Sequence, residues 1–330
     1  MRFCVIHLNQ IGDLVFSLPL LKTLRDRFPG AEIHSVMKPY LTSLLAGSPF
    51  VDSIISRLGG FRGTVDLVKM LRRNRYDLMI SLARSEEAFL ILSTSNASKK
   101  AGFSRFPLDF SLDVRETIEG HNSWHNNARL LGRLGIEPSA DTYVGLLPIR
   151  PDECTVTIQE PFVVISAGAS PRRLIKAWDE DKFASLAVSL HERYGLLPVL
   201  VGAKDTVESN ELIRKEIAAN DKGKGIDVLD LTGRLNLREL SALLMRARLF
   251  VGIDSGVMHL ASAADIPVVG LFGPTDPVYV APQNRQSIVV RQDLPCMPCY
   301  LKKTCSDIDC MRKLGVGTVM DACTKLMEQP

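Results

Sequence analysis

The sequence predicts an α/β protein made of two successive parallel sheets, and three observations carry that expectation. Short β-branched, apolar runs alternate with longer helical patterns along the 330 residues, as βαβ units require. The alternation runs twice, and a stretch at 145–161 with Pro148, Pro151, Pro161 and no helical period separates the halves. A balance of 46% hydrophobic and 23% charged residues suits a globular chain of about two domains.

In the first half, residues 3–8 form an apolar strand, and Ile11-Gly12-Asp13 opens a helix that runs to Phe28 and closes at Pro29-Gly30. Pro19 should end or kink the opening turn of that helix. Strands are expected at 31–37, 53–56 and 77–82, with a helix over 64–75. In the second half the expected strands are 162–166, 197–202, 228–231, 249–253 and 268–272. Helical patterns cover 181–194, 207–219, 237–246 and 257–264, and a last one, 311–327, follows the end of the sheet.

Other classes are excluded by composition. A net charge of +3 is too small to argue nucleic-acid binding. No run of 18 apolar residues occurs, so no spanning helix is expected. The opening run is interrupted by His7, Asn9, Gln10 and Asp13, with no small-residue cleavage site after it, and reads as a strand rather than a signal peptide. Seven cysteines, an odd number in a large chain, argue against a disulfide framework and for a cytosolic compartment.

Ligands of open α/β sheets gather at the carboxyl ends of strands, and several polar groups stand there. Asp13 is either a helix cap or a carboxylate placed to take a proton. Gly168-Ala169-Ser170-Pro171-Arg172-Arg173, with Lys176-Ala177-Trp178, is a diphosphate loop or a solvated basic loop. Trp178 on the second reading packs in the core or at an interface, and Asp179-Glu180-Asp181 reads as helix capping rather than a metal site. Gly252-Ile253-Asp254-Ser255-Gly256 turns a strand into a helix whose N–H groups form an anion site, with His259 four residues on, on the same face. Gly270–Pro277 is a further strand-end turn or a plain chain reversal. Neither G-x-G-x-x-G nor a P-loop pattern occurs.

Cys296-x2-Cys299-x5-Cys305-x4-Cys310 is compatible with zinc or an iron–sulfur cluster, but its spacings fit no standard finger; reduced, metal-free thiols are the preferred reading. The stretch from Arg57 to Arg75 holds Arg57, Arg62, Lys69, Arg72, Arg73 and Arg75 against Asp66 alone. It is a solvated helix face, or a docking patch for an acidic acceptor or an anionic membrane, with Arg57 and Arg62 as the acceptor contacts.

In this order, Ile11-Gly12-Asp13, Pro29-Gly30-Ala31-Glu32-Ile33, Gly168-Ala169-Ser170, Lys176-Ala177-Trp178, Asp254-Ser255-Gly256 with His259, Phe272-Gly273-Pro274-Thr275-Asp276-Pro277 and the cysteine cluster resemble glycosyltransferase family 9, the bacterial ADP-heptose:lipopolysaccharide heptosyltransferases. The chain departs from the family at Asp179, where many members carry Pro, and at His7, where members often carry Arg or Lys. The resemblance implies a GT-B fold of two Rossmann-like domains facing a central cleft. Residues 1–150 would bind the acceptor; residues 151–330, with the cysteine-rich loop and terminal helix, would bind the nucleotide sugar. It further implies inverting transfer of L-glycero-D-manno-heptose from ADP-heptose to the inner core of lipopolysaccharide (Kdo-lipid A type), without metal or other cofactor. Asp13 would be the base. Ser170, Lys176, Asp254, Ser255, Gly256 and His259 would hold the donor, and Lys204 or Asp205 would meet the nucleoside. The expected location is cytoplasmic, peripheral on the cytosolic face of the inner membrane. A sugar-nucleotide epimerase of the same architecture and a non-catalytic nucleotide-sugar binder are the rival readings.

Overall fold

In the computed structural model, which describes residues 1–7, 9–121, 123–168, 175–300, 305 and 307–329, the chain forms two compact units, Met1–Pro148 and Ile149–Pro330. The first contains β1 (Arg2–Ile6), α1 (Ile11–Arg27), β2 (Glu32–Met37), α2 (Thr42–Leu45), β3 (Ser53–Ser56) and α3 (Gly60–Arg72). It continues with β4 (Leu78–Ser81), α4 (Glu86–Thr94), β5 (Lys100–Phe103), β6 (Val114–Glu116) and α5 (Trp124–Arg133). The second contains β7 (Phe162–Ser166), α6 (Glu180–Tyr194), β8 (Leu197–Leu200), α7 (Val207–Ala219), β9 (Leu229–Asp230), α8 (Leu237–Leu244) and β10 (Leu249–Ile253). After these come α9 (Gly256–Ala263), β11 (Val268–Phe272), α10 (Pro277–Val280), β12 (Ser287–Arg291), α11 (Asp309–Arg312) and α12 (Val316–Met327).

Among the described residues each unit holds one six-stranded sheet, ordered β3-β2-β1-β4-β5-β6 and β12-β11-β10-β7-β8-β9, and every pairing is parallel. The two orders are the same pattern, so each unit is Rossmann-like and the predicted α/β class is observed. Strands covered on both faces need continuous apolar runs. Accordingly β4, β7, β10 and β11 are buried at every residue. In each sheet the strand order reverses once, between β1 and β4 and between β10 and β7. That reversal opens a crevice at the carboxyl ends.

Several expectations are corrected. Pro19 does not end α1, which runs unbroken to Arg27. A mid-helix proline removes one backbone donor, and here the surrounding stretch from Leu14 to Leu21 is wholly buried, so packing holds the helix. The start of α3 lies at Gly60, inside the segment read as a loop. The pattern read as one helix over 311–327 is two, α11 and α12.

Candidate functional site

Asp13 lies in the first turn of α1, whose N-cap is Gln10, at the end of β1. It borders a cavity of about 10 Å³ with Phe16, Leu82, Phe103, Ser123, Asn126 and Asn127. Leu82 directly follows β4, so the carboxylate stands at the reversal point of the first sheet. The opposite wall is fixed. Asn127 donates to the Phe16 carbonyl at 3.0 Å, and Asn126 bonds Glu119 and His121 through both ends of its amide. The Ser123 hydroxyl is buried and has no hydrogen-bond partner among the described residues. Ser123, Asn126 and Asn127 carry no local sequence signal, because only the sheet brings residues over 100 positions away to Asp13.

Below this site, His7 is fully buried between Ser17 and Ser35. Ser17 spends its proton on the Leu14 carbonyl, so His7 Nδ1–H donates to Ser17 and Nε2 accepts from Ser35. Burial lowers its pKa to about 3, and the ring is neutral.

Arg57 is not the surface cation expected. Its side chain is 1% exposed, donates to Asn9 Oδ1 and pairs with Glu87 at 3.4 Å. Its position at the end of β3 turns the guanidinium inward, toward the loop between β1 and α1. Arg62, on α3, is exposed.

In the second unit the groups expected to hold a donor stand at the other reversal point. Asp254 follows β10 and is 7% exposed. Its carboxylate accepts from Lys176 Nζ at 2.5 Å and Thr275 Oγ1 at 2.7 Å, and Lys176 also donates to the Asp254 carbonyl at 3.3 Å. Burial pushes the Asp254 carboxyl up. The charges of Lys176 and His259 and hydrogen bonds from Lys176 and Thr275 outweigh it, so the group titrates below the usual carboxylate range. Thr275 belongs to the Gly-Pro-Thr-Asp-Pro turn, which sequence alone left undecided.

Ser255 is the N-cap of α9, yet its side chain makes no cap hydrogen bond, and its buried Oγ has no partner among the described residues. Gly256 begins the helix, and His259, 4% exposed, sits one turn on. At the end of β7, a Cβ on Gly168 would lie 2.2 Å from Thr206, so only glycine lets these strand-end turns close. Ser170 lies outside the described residues. Lys204 and Asp205 form an exposed turn after β8.

Trp178 packs in the core: it donates to the Leu314 carbonyl at 2.9 Å and meets Phe183 edge-on. Asp179 caps α6 by position only; its carboxylate pairs with Lys182 at 2.7 Å. All seven cysteines are free thiols. Cys296, Cys299, Cys305 and Cys310 line one cavity of about 330 Å³. Burial and the three neighbouring thiols push the Cys310 thiol up. Among the described residues no group of three or more His, Cys, Asp or Glu is arranged to hold a metal ion.

The geometry can be set beside known proteins. Lipopolysaccharide heptosyltransferase 3 of Escherichia coli (strain K12) is 28% identical over 299 residues, 84% of each chain. A glycosyl transferase family 9 structure from Veillonella parvula DSM 2008 superposes with a TM-score of 0.82 at 21% identity, covering 99% of this chain and 97% of its own. The E. coli ADP-heptose lps heptosyltransferase II structure gives 0.79 at 20% identity, covering 99% and 98%. The family model described as Glycosyltransferase family 9 (heptosyltransferase) matches residues 64–307. With the family matched over most of the chain and a GT-B fold of two Rossmann-like units, this protein belongs to glycosyltransferase family 9, the heptosyltransferases.

Proposed function

We propose that the protein is an inverting heptosyltransferase of lipopolysaccharide core synthesis. It moves L-glycero-D-manno-heptose from ADP-heptose to a hydroxyl of a Kdo-lipid A type inner core. The observation that carries this reading is the second reversal point. The first turn of α9 offers backbone N–H groups beside the Ser255 hydroxyl, which has no partner among the described residues, with a neutralised Lys176–Asp254–Thr275 cluster next to it. Such a helix start suits a diphosphate. Lys176 has three ammonium hydrogens and, among the described residues, gives two to Asp254; the third suits a phosphate oxygen. His259 completes the donor side, with Gly256 permitting close approach and Ser170 as a further donor contact.

On the acceptor side, residues 1–150, Asp13 is the base. Its carboxylate takes the proton of the acceptor hydroxyl as that oxygen bonds to the anomeric carbon from the face opposite the diphosphate. The bond to ADP breaks, and the leaving charge falls on the N–H groups of α9, Ser255 and Lys176. The anomeric configuration inverts, ADP departs and Asp13 returns its proton to water. No metal or other cofactor enters this scheme. Arg62 contacts the anionic acceptor, and Arg57 acts through Asn9 rather than by touching it. No described helix is long and apolar enough to cross a membrane; peripheral attachment at the cytosolic face of the inner membrane fits an acceptor anchored there.

Incubation with ADP-heptose and a heptose-deficient lipopolysaccharide core tests the reading. A heptosyltransferase releases ADP only when acceptor is present, and the acceptor gains one heptose in mass. Conversion of the donor without acceptor would favour an epimerase, and binding without turnover a carrier.

A further inference from the structure

The chain has thirteen phenylalanines, and three are exposed: Phe61 at 86%, Phe106 at 90% and Phe110 at 79%. All three lie in segments leaving the carboxyl ends of β3 and β5, on the edge of the first sheet that carries Asp13. Leu58, 74% exposed, joins them. Strands β2, β1 and β4 stand between β3 and β5, so these side chains are spaced along one edge of the sheet rather than clustered at a point, and large apolar side chains exposed together along an edge mark a contact surface.

The first turn of α4 ties the two loops together. Glu87 pairs with Arg57 and accepts from Thr64 on α3, while Arg105 pairs with Glu86 and donates to the Arg84 carbonyl. Helix α4 packs against both α3 and the 108–111 turn, and Leu90 on it is half exposed. The charge around the patch is positive. The acids Glu86 and Glu87 are paired, whereas Lys38, Arg62 and Arg84 have no acidic partner among the described residues. Lys38 Nζ sits beside Gly59, at the root of the Phe61 loop.

We infer that this edge is a membrane-docking surface: Leu58, Phe61, Phe106 and Phe110 enter the headgroup–acyl boundary of an anionic bilayer, and Lys38 and Arg84 meet its lipid phosphates, beside the Arg62 that contacts the acceptor. Aromatic side chains ringed by cations are the chemistry of that boundary, where apolar area and charge attraction add. A bilayer is favoured over a second copy of this chain because the cationic rim would face itself across a self-contact. The inference rests on the proposed acceptor being lipid-anchored, since docking by this edge sets Asp13 toward the membrane.

The test uses the full chain and sedimentation with vesicles of phosphatidylglycerol and phosphatidylethanolamine, or of phosphatidylcholine alone. Wild type should partition onto the anionic vesicles, less so as salt rises. The Phe61→Ser/Phe106→Ser/Phe110→Ser variant should bind them about tenfold or more weakly. Its turnover on a soluble, delipidated core oligosaccharide should be unchanged. Both tryptophans are buried, so added quenching by brominated lipid in Phe106→Trp reports insertion even if the triple variant folds poorly. Equal vesicle binding by wild type and variant, no quenching, or a wild-type dimer that the variant abolishes would each overturn the inference. Vesicle binding needs no substrate, so absence of transfer on every acceptor would sink the functional reading and leave this test standing.

Discussion

Removing Asp254 should damage the second unit before it damages chemistry. Asp254→Ala strands the Lys176 ammonium, which is 5% exposed and has Asp254 as its partner through both carboxylate and carbonyl. Breaking such a buried pair costs about 3–5 kcal/mol, which for a unit of this size lowers its melting temperature by roughly 6–20 °C. Replacing both charges by Lys176→Met/Asp254→Leu should restore most of the loss, because an apolar pair of similar volume avoids the desolvation cost. Urea unfolding in a Trp124→Phe background leaves Trp178, packed on Phe183 two residues from Lys176, as the only tryptophan reporter. The pH dependence has a definite sign. The folded carboxyl titrates below its unfolded value, so its contribution is complete above the unfolded value and is lost as pH falls through the folded one. The gap between wild type and Asp254→Ala should therefore hold from neutral pH into mild acid and close below the usual carboxylate range. A single variant within about 0.5 kcal/mol of wild type, or a double variant no better than the single, would refute the buried-pair account.

Three further outcomes are expected. Ser255→Ala should weaken ADP binding in calorimetry by about 0.5–1.5 kcal/mol with no change in melting temperature, since its hydroxyl has no described partner to lose; unchanged affinity would remove it from the donor site. His7 is buried neutral with a pKa near 3, below its unfolded value, so the unfolded chain binds the extra proton between about 3 and 6.5 and stability should fall as pH drops through that window. His7→Gln should flatten that slope in acid titrations of the first unit, and a slope equal to wild type would contradict the assignment. Metal analysis of protein purified without chelators should find no stoichiometric zinc or iron at the four C-terminal cysteines; one metal per chain would overturn the free-thiol reading.

Much of the fold was legible because both sheets are buried on both faces, which leaves apolar strands such as 162–166 and 249–253 bounded by clear turns. The unread elements lack that signature. Among them, β5 carries Gly102 and a half-exposed Lys100, β6 is three residues long, and β12 is only partly buried. Asp13, Asp254 and Ser255 were readable as strand-end residues, since polar groups directly after buried strands have few purely local explanations. What stayed hidden depends on distance in sequence. The Lys176–Asp254–Thr275 cluster spans three loops, and Ser123 reaches Asp13 only through the sheet. Arg57 looked like one more surface cation because composition cannot tell an inward guanidinium from an outward one.

Asp13 carries the proposed chemistry, and the direct measurement is turnover of Asp13→Asn with saturating ADP-heptose and a heptose-deficient core acceptor. The substitution keeps the shape of the side chain and removes the proton acceptor. A positioned base contributes about 10²–10⁴-fold, so kcat should fall by that factor while ADP affinity and melting temperature stay at wild-type values. Near-wild-type turnover would place the base elsewhere and reduce Asp13 to a residue of the first helical turn.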